Sequence, residues 1–296
     1  MTDPLDRLIA DEALPEGYRA IVDRWWRPLA AILAERHASA GHPILIGING
    51  PQGSGKSTLC RFLEVLLDRE HGLHAVTLSL DDIYLNKADR EAKARITHPL
   101  FVTRGVPGTH DVYVGLDVIA SVLAGRTPLL PRFDKGEDDR APVDMWPRVD
   151  KPVDVLLLEG WCVGARAQSP EELVEPVNAF EREEDADGRW RAEVNDALVS
   201  PYNALFGPLT MLFMLRPPGF EQVRGWRRKQ EDKLIARVGH GMDGPTLDRF
   251  IQHFERLTRH VLDTLPAIAD VVIDIDADHR VTGLSGPACS ALPQGS

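Results

Sequence analysis

The chain has 296 residues, 43% of them hydrophobic, which is room for one large α/β domain or two small ones. Its formal net charge of -11 argues against a general nucleic-acid binder, whose surface is basic, so an anionic substrate would have to be drawn in by a local basic cluster. The three cysteines, Cys60, Cys162 and Cys289, are scattered and form no C-x-x-C pair for zinc or redox chemistry, which fits free thiols in a reducing compartment.

The acidic start, Met1-Thr2-Asp3-Pro4-Leu5-Asp6, lacks the basic and apolar regions of a signal peptide, and no apolar stretch is long enough to span a bilayer. The sequence therefore predicts a soluble, cytoplasmic protein with no membrane partner. Between Tyr18 and Ala38, Ile21, Trp25, Leu29 and Ile32 recur at helical spacing, which predicts a helical extension over 1–40 packed on the core. Apolar runs at Ile44–Asn49, Ala75–Leu80, Val153–Leu158, Leu209–Leu215 and Val271–Ile275 alternate with helical stretches. Continuous runs of this kind suit strands buried on both faces. The predicted class is therefore α/β, a doubly wound, mostly parallel sheet flanked by helices over 41–281, with ligands at the carboxyl ends of the strands. A polar excursion is predicted over 165–200, most acidic from Glu171 to Asp187. A lid is predicted over 218–240, and a loose tail rich in Gly, Pro, Ser and Ala over 282–296.

Directly after the first apolar run, Gly50 to Ser57 read G-P-Q-G-S-G-K-S, a complete P-loop. Gly50, Gly53, Ser54 and Gly55 would let the backbone fold round phosphate with N–H groups pointing inward, and the helix from Ser57 and Thr58 onward would add its positive N-terminal end. Lys56 would reach the β- and γ-phosphates, and Ser57 would hold Mg²⁺. The motif predicts ATP and Mg²⁺ as cofactors on a P-loop nucleoside triphosphate hydrolase fold.

The ends of the other strands carry the remaining chemistry. After the second run come Asp81 and Asp82; Asp81 is placed to take a proton from a substrate hydroxyl, whereas Asp82 is equally readable as a cap or solvated turn. Glu159 closes the third run, where a carboxylate either orients Mg²⁺ and its waters or caps the next element. Arg224-Gly225-Trp226-Arg227-Arg228-Lys229 is a basic concentration in an acidic chain. It reads as a solvated helix face or as a lid whose Arg224, Arg227 and Arg228 close over the phosphates, Arg228 stabilising the transferred group.

Two further patterns are set aside. Asn86-Lys87-Ala88-Asp89 spells the guanine-reading N-K-x-D of GTPases but falls too early, and the D-x-x-G at Asp185-Ala186-Asp187-Gly188 follows it instead of preceding it. His98, His110, His240, His253 and His260 show no metal-ligand spacing.

The P-loop, Ser79–Leu85, Arg104-Gly105-Val106-Pro107-Gly108-Thr109-His110-Asp111, Pro131-Arg132-Phe133-Asp134-Lys135 and Glu159-Gly160-Trp161-Cys162 together resemble the D-glycerate 3-kinase family, P-loop kinases related to phosphoribulokinase, uridine kinase and pantothenate kinase. The similarity runs from about Ile44 to Asp276 with motif order preserved. It implies transfer of the ATP γ-phosphate to a hydroxyl of D-glycerate, giving 3-phosphoglycerate, with Asp81 as general base and Tyr84 on the acceptor side. It also implies that Lys135 and Arg140, with Arg132 nearby, pair with a carboxylate. Arg104, His110 and Asp111 would shape the acceptor pocket, His110 bonding a hydroxyl or simply steadying its loop. The partner expected is a small hydroxy acid. Two other functions compete: a P-loop kinase for another hydroxyl compound such as a nucleoside or pantothenate, and a nucleotide-gated binding protein.

Overall fold

A computed structural model describes residues 3–238 and 241–291. The last two positions of the predicted lid and the last five of the predicted tail lie outside the described residues. The N-terminal segment folds as α1 (Pro4–Asp11), opened by the Asp3 side chain accepting the Leu5 N–H, then α2 (Tyr18–Ile21), a π-helical turn over Val22–Trp26, and α3 (Arg27–Ala40). The expected helix is therefore present, but the π turn shifts its phase. Val22, Trp26, Leu29 and Leu33 are buried, while Ile21, Trp25 and Ile32 of the predicted face are only partly covered.

Strand β1 (Ile44–Asn49) feeds α4 (Lys56–His71), and β2 (Ala75–Ser79) leads through a 3-10 turn, Leu80–Ile83, into α5 (Lys87–Ile96) and α6 (Val112–Leu123). A two-stranded hairpin follows, β3 (Phe133–Asp134) and β4 (Asp139–Arg140), then β5 (Val155–Gly160). Helices α7 (Ala179–Glu184), α8 (Arg189–Val199) and α9 (Tyr202–Phe206) precede β6 (Met211–Arg216). Helices α10 (Phe220–Val238) and α11 (Gly244–Thr264) precede β7 (Val271–Ile275) and β8 (Val281–Ser285). The main sheet runs β2-β5-β1-β6-β7-β8, parallel throughout except for the antiparallel β7–β8 edge.

Side chains alternate across this sheet and fill two cores. Ile44, Ile46, Ile48, Val155, Leu157 and Phe213 face α1, α3 and α4; Leu45, Leu78, Leu156, Leu158 and Met214 face α6, α8, α9 and α11. No described helix is long and apolar enough to cross a membrane.

Several expected boundaries move. The third strand begins at Val155 and includes Glu159 and Gly160, so Glu159 lies within the ladder, level with Ile48 and Ser79. Leu80 leaves the second strand for the 3-10 turn. The predicted loose tail instead supplies β8 and a 3-10 turn over Pro287–Ala291. The polar excursion is pinned at its centre: buried Glu181 pairs with Arg256 at 2.7 Å, and fully buried Asp185 pairs with Arg191 at 2.9 Å. Both GTPase-like patterns turn out to be helix starts. Asn86 caps α5 by accepting the Asp89 N–H at 2.8 Å, and Asp185 accepts the Trp190 N–H at 2.7 Å.

Candidate active site

The P-loop crosses from the end of β1 to the first turn of α4. Gly53 (φ 79°) and Gly55 (φ 93°) take left-handed conformations there, and α4 starts with no side-chain cap, leaving its first N–H groups for a ligand. Gly50 lies so close to Ser54 Oγ that a Cβ there would stand 2.6 Å from it. That hydroxyl is buried with no hydrogen-bond partner among the described residues, an orphan in a glycine-lined cradle that suits a phosphate oxygen. The Lys56 ammonium folds back onto the Pro51 carbonyl at 3.1 Å. Thr58 is turned the other way, its hydroxyl donating to Glu12 at 3.1 Å beside the Arg61–Glu12 pair, so the structure ties it to the N-terminal segment.

Sheet register assembles the carboxylate next to this loop. Because Glu159 stands level with Ser79, the Ser79 hydroxyl donates to Glu159 Oε1 at 2.7 Å, and Ser57 reaches the same oxygen at 3.3 Å. These are hard oxygen donors of the kind Mg²⁺ takes, so Ser57 and Glu159 fit the ion, with Ser79 a neighbour that the sequence reading missed.

Asp81 leaves the carboxyl end of β2 on the following turn, its N–H donating to Ser79 Oγ at 3.2 Å. Lys135 Nζ lies 2.6 Å from Asp81 Oδ2, and the Tyr84 hydroxyl donates to Oδ1 at 2.9 Å. Burial opposes ionisation of Asp81, but the Lys135 charge, these two hydrogen bonds and the Lys56 charge outweigh it and hold the carboxyl below its ordinary value. Tyr84 is driven the opposite way, far up, by burial and by Asp81, so it stays a donor. Asp82 is structural: it pairs with Arg132 at 3.1 Å and accepts the Phe133 N–H at 3.2 Å, anchoring the β3–β4 hairpin.

That hairpin packs beside the turn that carries Asp81. Its Phe133 ring is flanked by the Arg90 and Arg104 guanidiniums and by Tyr84 edge-on. Arg90, almost wholly buried, donates to the Leu85 and Val102 carbonyls and to Asp138, which Arg104 also contacts. Arg140 pairs with Asp111 at 2.8 Å. Each predicted carboxylate binder thus already has an aspartate, Arg132 with Asp82, Lys135 with Asp81 and Arg140 with Asp111, and Arg104 of the predicted pocket loop is held by Asp138. An acidic acceptor would have to exchange with one of them.

The Arg104–Asp111 segment is zipped to the turn after β2 by Leu85 N–H to Thr109 O (2.9 Å) and Asp111 N–H to Ile83 O (2.6 Å). His110 stacks on Tyr84 with ring centroids 4.5 Å apart. Burial lowers its pKa to about 4, against the pull of Asp81, so its ring is neutral. The first of the segment's two glycines is required by a close approach: Gly105 has φ 141°, and a Cβ there would meet the Phe254 ring of α11 at 2.4 Å.

The predicted lid arginines are only partly drawn to the phosphate side. Helix α10 lies on the P-loop, Gln230 and Trp226 covering Gly53. Arg227 lines a small cavity with Gln52 and pairs with buried Glu231 at 2.8 Å. Arg228 is bound instead to Asp248 of α11 at 2.5 Å, and Arg224 to Glu221 and Asp248 at 3.1 and 3.5 Å. The sequence reading also missed His279, which donates to the Gly53 carbonyl at 2.7 Å and stacks on Trp226.

No family model matches the chain. Among curated proteins it is similar to the uncharacterized kinase mug58 of Schizosaccharomyces pombe, 31% identical over 249 residues covering 79% of this chain and 85% of that protein. It is 28% identical over 255 residues to the chloroplastic D-glycerate 3-kinase of Arabidopsis thaliana, covering 80% of this chain and 53% of that protein. Among solved structures, D-glycerate 3-kinase from Cryptococcus neoformans has the same fold, with a TM-score of 0.73 at 24% identity, covering 88% of this chain and 98% of that one. A match of this length to a named kinase agrees with what the P-loop and the strand-end carboxylates can do. The chain belongs to the P-loop kinase family, with the mug58 kinase among its relatives, and is an ATP-dependent phosphotransferase.

Proposed function

We propose that the acceptor is D-glycerate and the product 3-phosphoglycerate. The observation that carries this reading is one carboxylate, Asp81, under the charge of both the P-loop Lys56 and the hairpin Lys135. The first is the nucleotide-side cation and the second an exposed cation on the opposite wall. A hydroxy acid suits that pair: its carboxylate draws Lys135 from Asp81 while its hydroxyl meets the carboxylate thus released. The name of the Arabidopsis relative supports the same substrate.

Transfer then needs alignment and charge neutralisation more than covalent help. The cradle of Gly50, Ser54 and Gly55 orients the triphosphate, and Lys56 swings from the Pro51 carbonyl to its outer phosphates. Ser57 and Glu159 would hold Mg²⁺, which when bound would neutralise phosphate charge. Asp81 accepts the hydroxyl proton late, because the transition state is loose. Arg227, nearest the P-loop, screens the phosphates; Arg224 and Arg228 join it once they release Asp248, and the closed helix excludes water as a competing acceptor.

The test is ADP release from Mg·ATP with a panel of small hydroxyl compounds, the Lys56→Ala protein serving as the blank. Stimulation by D-glycerate above all others is the expected result. Stimulation by a nucleoside or pantothenate instead replaces the substrate, and none with ATP still bound moves the chain to a nucleotide-gated binder.

A further inference from the structure

Behind Tyr84 lies a chain of hydrogen bonds that none of the roles above uses. The hydroxyl of Tyr202, the first residue of α9, accepts the Gly108 N–H at 3.1 Å and lies within hydrogen-bonding distance of His110 Nδ1. Tyr202 is fully buried, and burial drives its acidity far below that of an ordinary phenol, so the hydroxyl keeps its proton. That proton cannot go back to Gly108, whose N–H is itself a donor. The acceptor in contact is His110 Nδ1. A neutral imidazole that accepts at Nδ1 carries its one proton on Nε2.

His110 Nε2 is buried and has no hydrogen-bond partner among the described residues. A buried donor left unpaired is costly, and native structures seldom keep one without a purpose. The ring carrying it is stacked on Tyr84, 21° from parallel, and Tyr84 is the residue that donates to Asp81. We infer that Tyr202 is a positioning residue for the acceptor: together with Gly108 it fixes His110 in the Nε2–H form, held beside the Tyr84–Asp81 pair as a donor to an oxygen of the incoming hydroxy acid. Because the ring is neutral, it orients that oxygen without neutralising Asp81. The inference rests on the reading that the acceptor binds at Asp81.

Two readouts test it. In protein labelled with ¹⁵N-histidine, with the His110 signals assigned by their loss in His110→Gln, the tautomer is read directly from the ring nitrogen shifts. The Nε2–H form is expected in the parent protein, and a mixture of both forms in Tyr202→Phe. In kinetics, Tyr202→Phe should raise the KM for D-glycerate about tenfold and leave that for ATP unchanged, the loss of one well-placed hydrogen bond. His110→Gln, which keeps an amide N–H near the Nε2 position, should retain most of the acceptor affinity and make it insensitive to Tyr202→Phe, whereas His110→Leu should lose it. If Tyr202→Phe does not fold, the Gln and Leu substitutions at position 110 carry the kinetic test alone. An Nδ1–H tautomer in the parent protein overturns the inference, as does equal acceptor KM in His110→Gln and His110→Leu, or a Tyr202→Phe effect shared equally by both substrates. Failure of D-glycerate as a substrate is separate: it removes the substrate assignment, and the same variants are then read with the compound that the parent protein does phosphorylate.

Discussion

Asp81 is a carboxylate whose partial burial opposes ionisation and whose neighbours keep it ionised. Asp81→Asn keeps the size and loses the basicity, so turnover should fall about 10²-fold or more while ATP binding, followed by calorimetry, stays near that of the parent protein. A fall in ATP affinity instead would make Asp81 a structural or metal-linked residue. Lys135→Met removes the largest favourable charge and lets burial dominate, raising the Asp81 pKa. Since the base must be ionised, the acid limb of the pH–rate profile should move to higher pH, and an unmoved limb would separate Lys135 from the base. As candidates, Lys56, Asp81 and Glu159 were legible in the sequence because each sits at a fixed place in a motif or near a strand end. The long-range contacts around them were not. Ser79 meets Glu159 through strand register, Asp138 meets Arg90 and Arg104 through the hairpin, and Tyr202 lies 92 positions from His110. No local pattern encodes such contacts.

Elements set where those side chains can stand. The segment from Arg104 to Asp111 is held from three directions: by backbone bonds to the turn after β2, by the Trp161 indole donating to the Gly105 carbonyl at 2.9 Å, and by Phe254 of α11 against Gly105. Gly105→Ala forces a Cβ into the Phe254 ring at a backbone angle that side chains rarely adopt. It should cost about 1–3 kcal/mol in a denaturant titration, the range of overpacked cores, and raise the acceptor KM more than that of ATP. Unchanged stability would mean that Phe254 moves aside freely. The mostly parallel sheet follows from apolar runs that the sequence displays openly, whereas the order of its strands does not. The π turn, the two-residue strands of the hairpin and the edge strand β8 do not follow, since each is short and is stabilised by tertiary contacts that override local preference. For β8, a Gly- and Ser-containing stretch pairs because β7 presents a free edge beside it.

Two cores lie on opposite faces of one sheet, and a buried imidazole packs into one of them. His253 is packed among Phe180, Trp190 and Phe254, and burial lowers its pKa from 6.5 to about 3. The unfolded chain therefore binds a proton below pH 6.5 that the folded chain refuses until about pH 3. Its contribution to stability is complete above the unfolded value and is lost progressively as pH falls through that window. His110 acts in the same sense down to about pH 4. His253→Phe should make the melting temperature fall less between neutral pH and about pH 5 than in the parent protein, and an identical slope would place the acid sensitivity elsewhere. Above all these, the proposal depends on one transfer. The direct measurement is NMR of a reaction containing Mg·ATP and ¹³C-labelled D-glycerate, following phosphorus and carbon together. Formation of 3-phosphoglycerate one-for-one with ADP, absent in Asp81→Asn over the same time, is the predicted result. ADP and free phosphate with the glycerate unchanged would contradict it.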